Sequence, residues 1–124
     1  MIKPLYSVLF AGIVLFSTGC QRQQSSPTDA AIDPGKYYAV LLNNNAVYFG
    51  RLEGLGSAFP VLRDVYYVQS SVNQDTKAVN NILVKRGKEW HGPDRMIISD
   101  KSIVFVEPVG ADSKVAQLIA ESKK

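Results

Sequence analysis

Tyr37-Tyr38-Ala39-Val40-Leu41-Leu42-Asn43-Asn44-Asn45-Ala46-Val47-Tyr48-Phe49-Gly50-Arg51-Leu52 is the stretch on which the fold turns. Its two apolar arms are rich in aromatic and β-branched residues, which suit a pleated, half-buried surface. The three asparagines between them tolerate positive φ, the backbone state a tight hairpin needs. Gly50 interrupts the return arm and predicts a bulge or sharp bend, the device by which a short sheet curls.

Strand-like segments continue outward from this hairpin. Residues 53–60, with Gly54, Gly56 and Pro60, read as a loop, and residues 61–68 as a third strand. Residues 69–80 are polar and lose the period, so they read as a loop or a fraying hairpin end. Residues 81–86 form a fourth strand, followed by a loop at 87–95 that carries Trp90, His91, Gly92 and Pro93. Residues 96–99 and 103–106, joined by a turn at Asp100-Lys101 and closed by Pro108, predict a final tight hairpin.

Five to six short strands with glycine-marked bends predict a mainly β domain over residues 36–108, a small antiparallel barrel of the SH3-like or Sm-like kind. Its inward set is Val40, Leu42, Val47, Phe49, Leu62, Val65, Tyr67, Ile82, Val84, Ile98, Ile103 and Phe105. Residues 109–124 predict a short amphipathic helix over an open end of the sheet. Ala111, Val115, Leu118, Ile119 and Ser122 share one helical face, with Asp112 early and Lys123-Lys124 late, as the helix dipole favours. A helix lying on a membrane is the alternative, against which stands a narrow apolar face without aromatics.

Composition limits the function classes. The 124 residues are 46% hydrophobic and 20% charged, with a formal net charge of +3. Lys3 is the only charge in residues 1–19, so the remainder carries +2, too little for a strongly basic nucleic-acid binder. Residues 1–19 have the layout of a secretory signal peptide: Lys3, a nearly unbroken apolar run at 5–16, then Ser17, Thr18 and Gly19. A helix over 5–18 would be about 21 Å long, short of the roughly 30 Å hydrocarbon core, so an uncleaved anchor is the lesser reading.

Phe16-Ser17-Thr18-Gly19-Cys20 resembles the lipobox of bacterial lipoproteins, with Ser17 where that family usually has Leu. The resemblance implies cleavage before Cys20, the single cysteine, and its lipidation with two or three fatty chains such as palmitate. Two chains anchor a protein stably where one does not. Gln21, which is not the Asp that favours inner-membrane retention, implies the periplasmic face of the outer membrane in an organism with two membranes. Residues 20–35, polar and carrying Pro27 and Pro34, read as a tether with a reach of about 20 Å.

Two further resemblances concern the domain. Residues 39–52, Phe59-Pro60-Val61-Leu62-Arg63-Asp64-Val65-Tyr66-Tyr67 and His91-Gly92-Pro93-Asp94-Arg95-Met96 resemble a family of short uncharacterised bacterial proteins, which implies no activity. Gly50 and the 96–108 hairpin resemble Sm-like barrels more weakly. The turn Ser99-Asp100-Lys101-Ser102 lacks the glycine of the Sm-like RNA loop and adds a negative charge, which removes the RNA inference and leaves the shape.

The chemistry-bearing residues are sparse. His91 is the one histidine, and Glu89, Asp94 and Asp100 near it lack a ligand spacing, so no metal or other cofactor is expected. Gly54-Leu55-Gly56-Ser57-Ala58 has Ala58 where a nucleophile elbow needs Gly, and no lysine makes Gly54 and Gly56 a phosphate loop. Carboxylates at Glu53, Asp64, Glu89 and Asp94 leave open an enzyme that uses them or His91.

The candidate interaction surface is Tyr38, Tyr66, Trp90 and His91. Each tyrosine pair sends one ring inward and one outward, and an outward ring stacks on a partner or covers a sheet edge. Lys85, Arg86 and Lys88 read as a solvated strand end or an anion site that grazes headgroups. The leading expectation is a lipid-anchored, non-enzymatic module of the cell envelope, partnered by the membrane and by an envelope protein or other envelope component, with no nucleic acid. An Sm-like nucleic-acid module with a misread export signal is the remaining alternative.

Overall fold

The computed structural model describes residues 32–124; the leader, Cys20 and the tether up to Ala31 lie outside them. Among the described residues, six strands, β1 (Tyr38–Leu42), β2 (Val47–Glu53), β3 (Val61–Val72), β4 (Val79–Lys85), β5 (Arg95–Ile97) and β6 (Ile103–Pro108), precede one helix, α1 (Lys114–Glu121). All the strand pairs are antiparallel. The sheet order is β4-β3-β2-β1-β6, with β5 paired to β3. The mainly β class holds, but the sheet is not closed into a barrel, because its path ends at β6 on one side and β4 on the other.

The first hairpin turns where the asparagines predict. Asn45 takes φ 65°, and its N–H donates to the Leu42 carbonyl. At Gly50 the chain has the irregularity the glycine implies: Phe49 pairs with Tyr66 but Arg51 pairs with Arg63, so β3 holds one extra residue. Asp64, at φ 51°, stands in that bulge. A Cβ on residue 50 would lie 2.8 Å from both the Arg63 carbonyl oxygen and Leu62 Cγ, so only glycine admits this approach.

The bulge also shapes the core. Leu62 and Val65, three apart, both face inward and pack with Tyr38, Val40, Leu52 and Ile98. Each fully buried aliphatic side chain stabilises by about 1.5–3 kcal/mol. Tyr66 is buried too but lies outside that cluster, on the opposite face under α1, where its hydroxyl meets Ser122 Oγ at 3.2 Å. The helix is N-capped by Ser113, whose Oγ accepts from the Ala116 N–H at 3.1 Å, and it buries Ile119.

Several expectations need correction. Tyr38 is not outward: it alternates with Val40 and is buried. The Val40–Tyr48 pairing likewise turns Tyr48 and Leu52 inward, so Val47 is exposed and Phe49 only half-buried on the outer face. In β6, Leu41 pairs with Phe105 but Leu42 with Ile103; this second bulge sends Phe105 out, 46% exposed, and brings Val106 to the core. Ile82 is 50% exposed, on the part of β4 that runs past the end of β2.

The polar stretch after Val68 stays in the ladder to the Val72–Val79 pair, with its turn at residues 73–78. The last hairpin does not form. Ile98 N–H donates to Pro60 and Asp100 N–H to Ala58, so the chain follows the β3 edge before a 3₁₀ turn, Asp100–Ser102, carries it across to β1. The Sm-like resemblance loses the hairpin it leaned on.

Candidate functional site

Strand parity and the Asp64 bulge together place Arg51, Arg63 and Arg95 on the outer face of the sheet. Arg51 pairs directly with Arg63 across β2–β3, and Arg63 with Arg95 across β3–β5. Directly opposed side chains on neighbouring strands stand about 4.5–5.5 Å apart at Cβ, and like charges so placed are destabilising. This row borders an open groove of about 580 Å³, whose lining also holds Asp64, Lys85, Arg86, Asp94, Met96 and Lys123.

Asp64 is the anchor of the groove, with only 11% of its side chain exposed. Lys85 Nζ lies 3.2 Å from its Oδ1 and Lys123 Nζ 3.0 Å from its Oδ2. Tyr37 donates its hydroxyl to Oδ2 and accepts from Lys123 Nζ at 2.6 Å. Burial alone would raise the Asp64 pKa, but the hydrogen bonds from Tyr37, Lys123 and Lys85 outweigh it and hold the carboxyl at about 2. The same bonds, to Tyr37 and Asp64, push Lys123 up to about 12. Burial and then the Asp64 hydrogen bond raise Tyr37 above the ordinary phenol value.

The other cations are partly paired. Arg63 Nε meets both oxygens of Glu53 at 3.1 Å, and Arg95 stands 3.7 Å from Asp94. Arg86 sits over the Tyr48 ring at 5.8 Å; its Nε is buried without a hydrogen bond, although Glu89 Oε1 is 3.5 Å away. Among the described residues, six cations line the groove against two carboxylates, and counting Glu53 and Glu89 from outside the lining leaves six against four.

Of the residues the sequence singles out, the structure gathers few. Tyr38 lies in the core and Tyr66 beneath α1, so neither offers a ring to a partner. Trp90 and His91 are exposed in the loop between β4 and β5 and do not line the groove. Lys85 and Arg86 do line it, whereas Lys88 does not. Residues 51, 63 and 95 share no sequence period, so local pattern does not reveal the arginine row; only the register, with its bulge, aligns them. Among the described residues, no group of three or more His, Cys, Asp or Glu side chains converges.

Chemically, the arrangement suits binding better than proton transfer. A carboxyl held at about 2 is a feeble general base near neutral pH. No protein-family model and no curated protein matches the chain.

Proposed function

We propose that the chain is a lipid-anchored, non-enzymatic module of the cell envelope, which binds an envelope component through the basic groove of its outer face. The observation that carries this reading is the row Arg51–Arg63–Arg95 at the groove, a like-charge alignment that costs stability and so points to a ligand rather than to folding. The ionised Asp64, clamped by two lysines, supports a rigid binding wall. The lipobox resemblance at Cys20 supplies the anchor, and the polar tether, with a root-mean-square reach of about 20 Å, keeps the domain close to a bilayer. In an organism with two membranes the site is the periplasmic face of the outer membrane.

Among the described residues no aromatic side chain lines the groove, which disfavours the base-stacking platforms of single-stranded nucleic-acid binders. The test has two readouts. The mature N-terminal peptide should begin at an acylated Cys20, and Cys20→Ser should leave the protein unprocessed by the lipoprotein route. In crosslinked envelopes, Arg51→Glu with Arg95→Glu should abolish the adducts that the natural chain forms. A mature protein that begins at Met1 overturns the anchoring, and unchanged adducts overturn the groove as the binding surface.

A further inference from the structure

We infer that the basic groove recognises a phosphate group, either free or as the monoester of a lipid headgroup. This rests on the reading of the groove as a binding site and names the chemistry of its ligand. A guanidinium presents a planar fork of N–H donors that matches two oxygens of an oxyanion, and Arg63 uses only its Nε on Glu53, shared between the two carboxylate oxygens at 3.1 Å. A lone carboxylate offers two oxygens and one charge, enough for one fork. A phosphate monoester offers three oxygens and a charge between about −1.5 and −2, enough to bridge neighbouring forks of a cross-strand row.

The surroundings favour that choice. Arg51 has no carboxylate within ion-pair distance among the described residues, and Arg95 has only Asp94, at 3.7 Å. Arg86 keeps a buried Nε without a hydrogen bond in the wall of the same groove. Lys85 and Lys123 neutralise Asp64, among the described residues the one carboxylate deep enough in the groove to repel an anion there. At about 580 Å³ the groove admits a phosphate with the group that bears it.

Calorimetric titration of the full chain in maltoside micelles, which contain no phosphate, provides the test. One arm adds inorganic phosphate and the other adds phosphatidic acid, whose phosphate is a monoester, to the micelles. Saturable binding in either arm that falls roughly tenfold or more in Arg51→Gln and in Arg95→Gln is the expected result. Binding of inorganic phosphate marks a free phosphate source, and binding of the lipid alone marks a headgroup. Arg51→Lys, which keeps the charge and loses the fork, should still weaken binding, while Glu53→Gln, which releases Arg63, should tighten it.

Absence of saturable binding in both arms overturns the inference, as does binding that the arginine variants leave unchanged. If both probes fail while the envelope adducts still require Arg51 and Arg95, phosphate recognition falls and the groove stands as a binding site of other chemistry.

Discussion

On its inner face the sheet buries Val40, Leu52 and Leu62 completely, whereas its outer face, on the same strands, sets Arg51, Arg63 and Arg95 side by side. Leu62 and Arg63 are adjacent in sequence and belong to opposite physical regimes. The inner face gains stability from every side chain it removes from water. The outer face keeps charges in water and at close quarters, and is secured by α1 and the Asp64 clamp. The fold therefore depends on one face, and the other is available for a ligand. Substitutions that respect this division should separate stability from binding.

The largest effect belongs to the inner face. Leu62→Ala empties a fully buried site beside Gly50 and should lower unfolding free energy by about 3 kcal/mol, read as a fall in the urea midpoint. A loss under about 1 kcal/mol would mean that β2 and β3 close the space, and that the Gly50 approach is softer than its 2.8 Å contacts require.

Asp64 comes next, since it joins the two faces at the bulge. Asn tolerates positive φ as Asp does, so Asp64→Asn leaves the backbone unstrained and removes only the charge. With the carboxyl moved from 3.8 to about 2 on folding, its contribution is about 2 kcal/mol at neutral pH. A depressed folded pKa means that this stability is complete above the unfolded value and disappears as pH falls from about 4 to about 2. Urea midpoints of the natural chain should drop across that window by more than those of Asp64→Asn. Parallel curves would show that Lys85 and Lys123 do not hold the carboxylate in solution.

How much of this was legible in the sequence follows from the bulges. Alternation is a sound guide while pairing is regular, as for Val40 and Leu42, whereas Leu62 and Val65, three apart, both face inward as expected only because the Asp64 bulge shifts the parity between them. Alternation also ties Tyr38 to Val40, so an outward Tyr38 conflicts with an inward Val40 on one short strand. Phe105 fails for a different reason: the extra residue in β6 reverses its side, and nothing near Val104 announces the bulge. Tyr66 does face away from the main core, as parity requires, but the helix that covers it comes from 56 residues further along the chain. The arginine row needed the register of three strands and the position of Asp64 at once, none of which local pattern supplies.

The smallest effect on stability is the one that decides what the row is for. Arg51→Gln removes one member of an aligned set of like charges and leaves the Arg63–Glu53 pair in place. Opposed like charges cost a few tenths of a kcal/mol, so the variant should be as stable as the natural chain or more stable by up to about 0.5 kcal/mol in phosphate-free buffer. Its midpoint should also respond less to added salt, because screening relieves the same repulsion. A residue kept for folding would show the opposite sign. If Arg51→Gln lowered stability by more than about 1 kcal/mol, the side chain would be packing its methylenes on the sheet, and the outer face would belong to the fold as the inner face does. Neutral or increased stability together with weakened phosphate binding leaves ligand recognition as the reason for three arginines at that place.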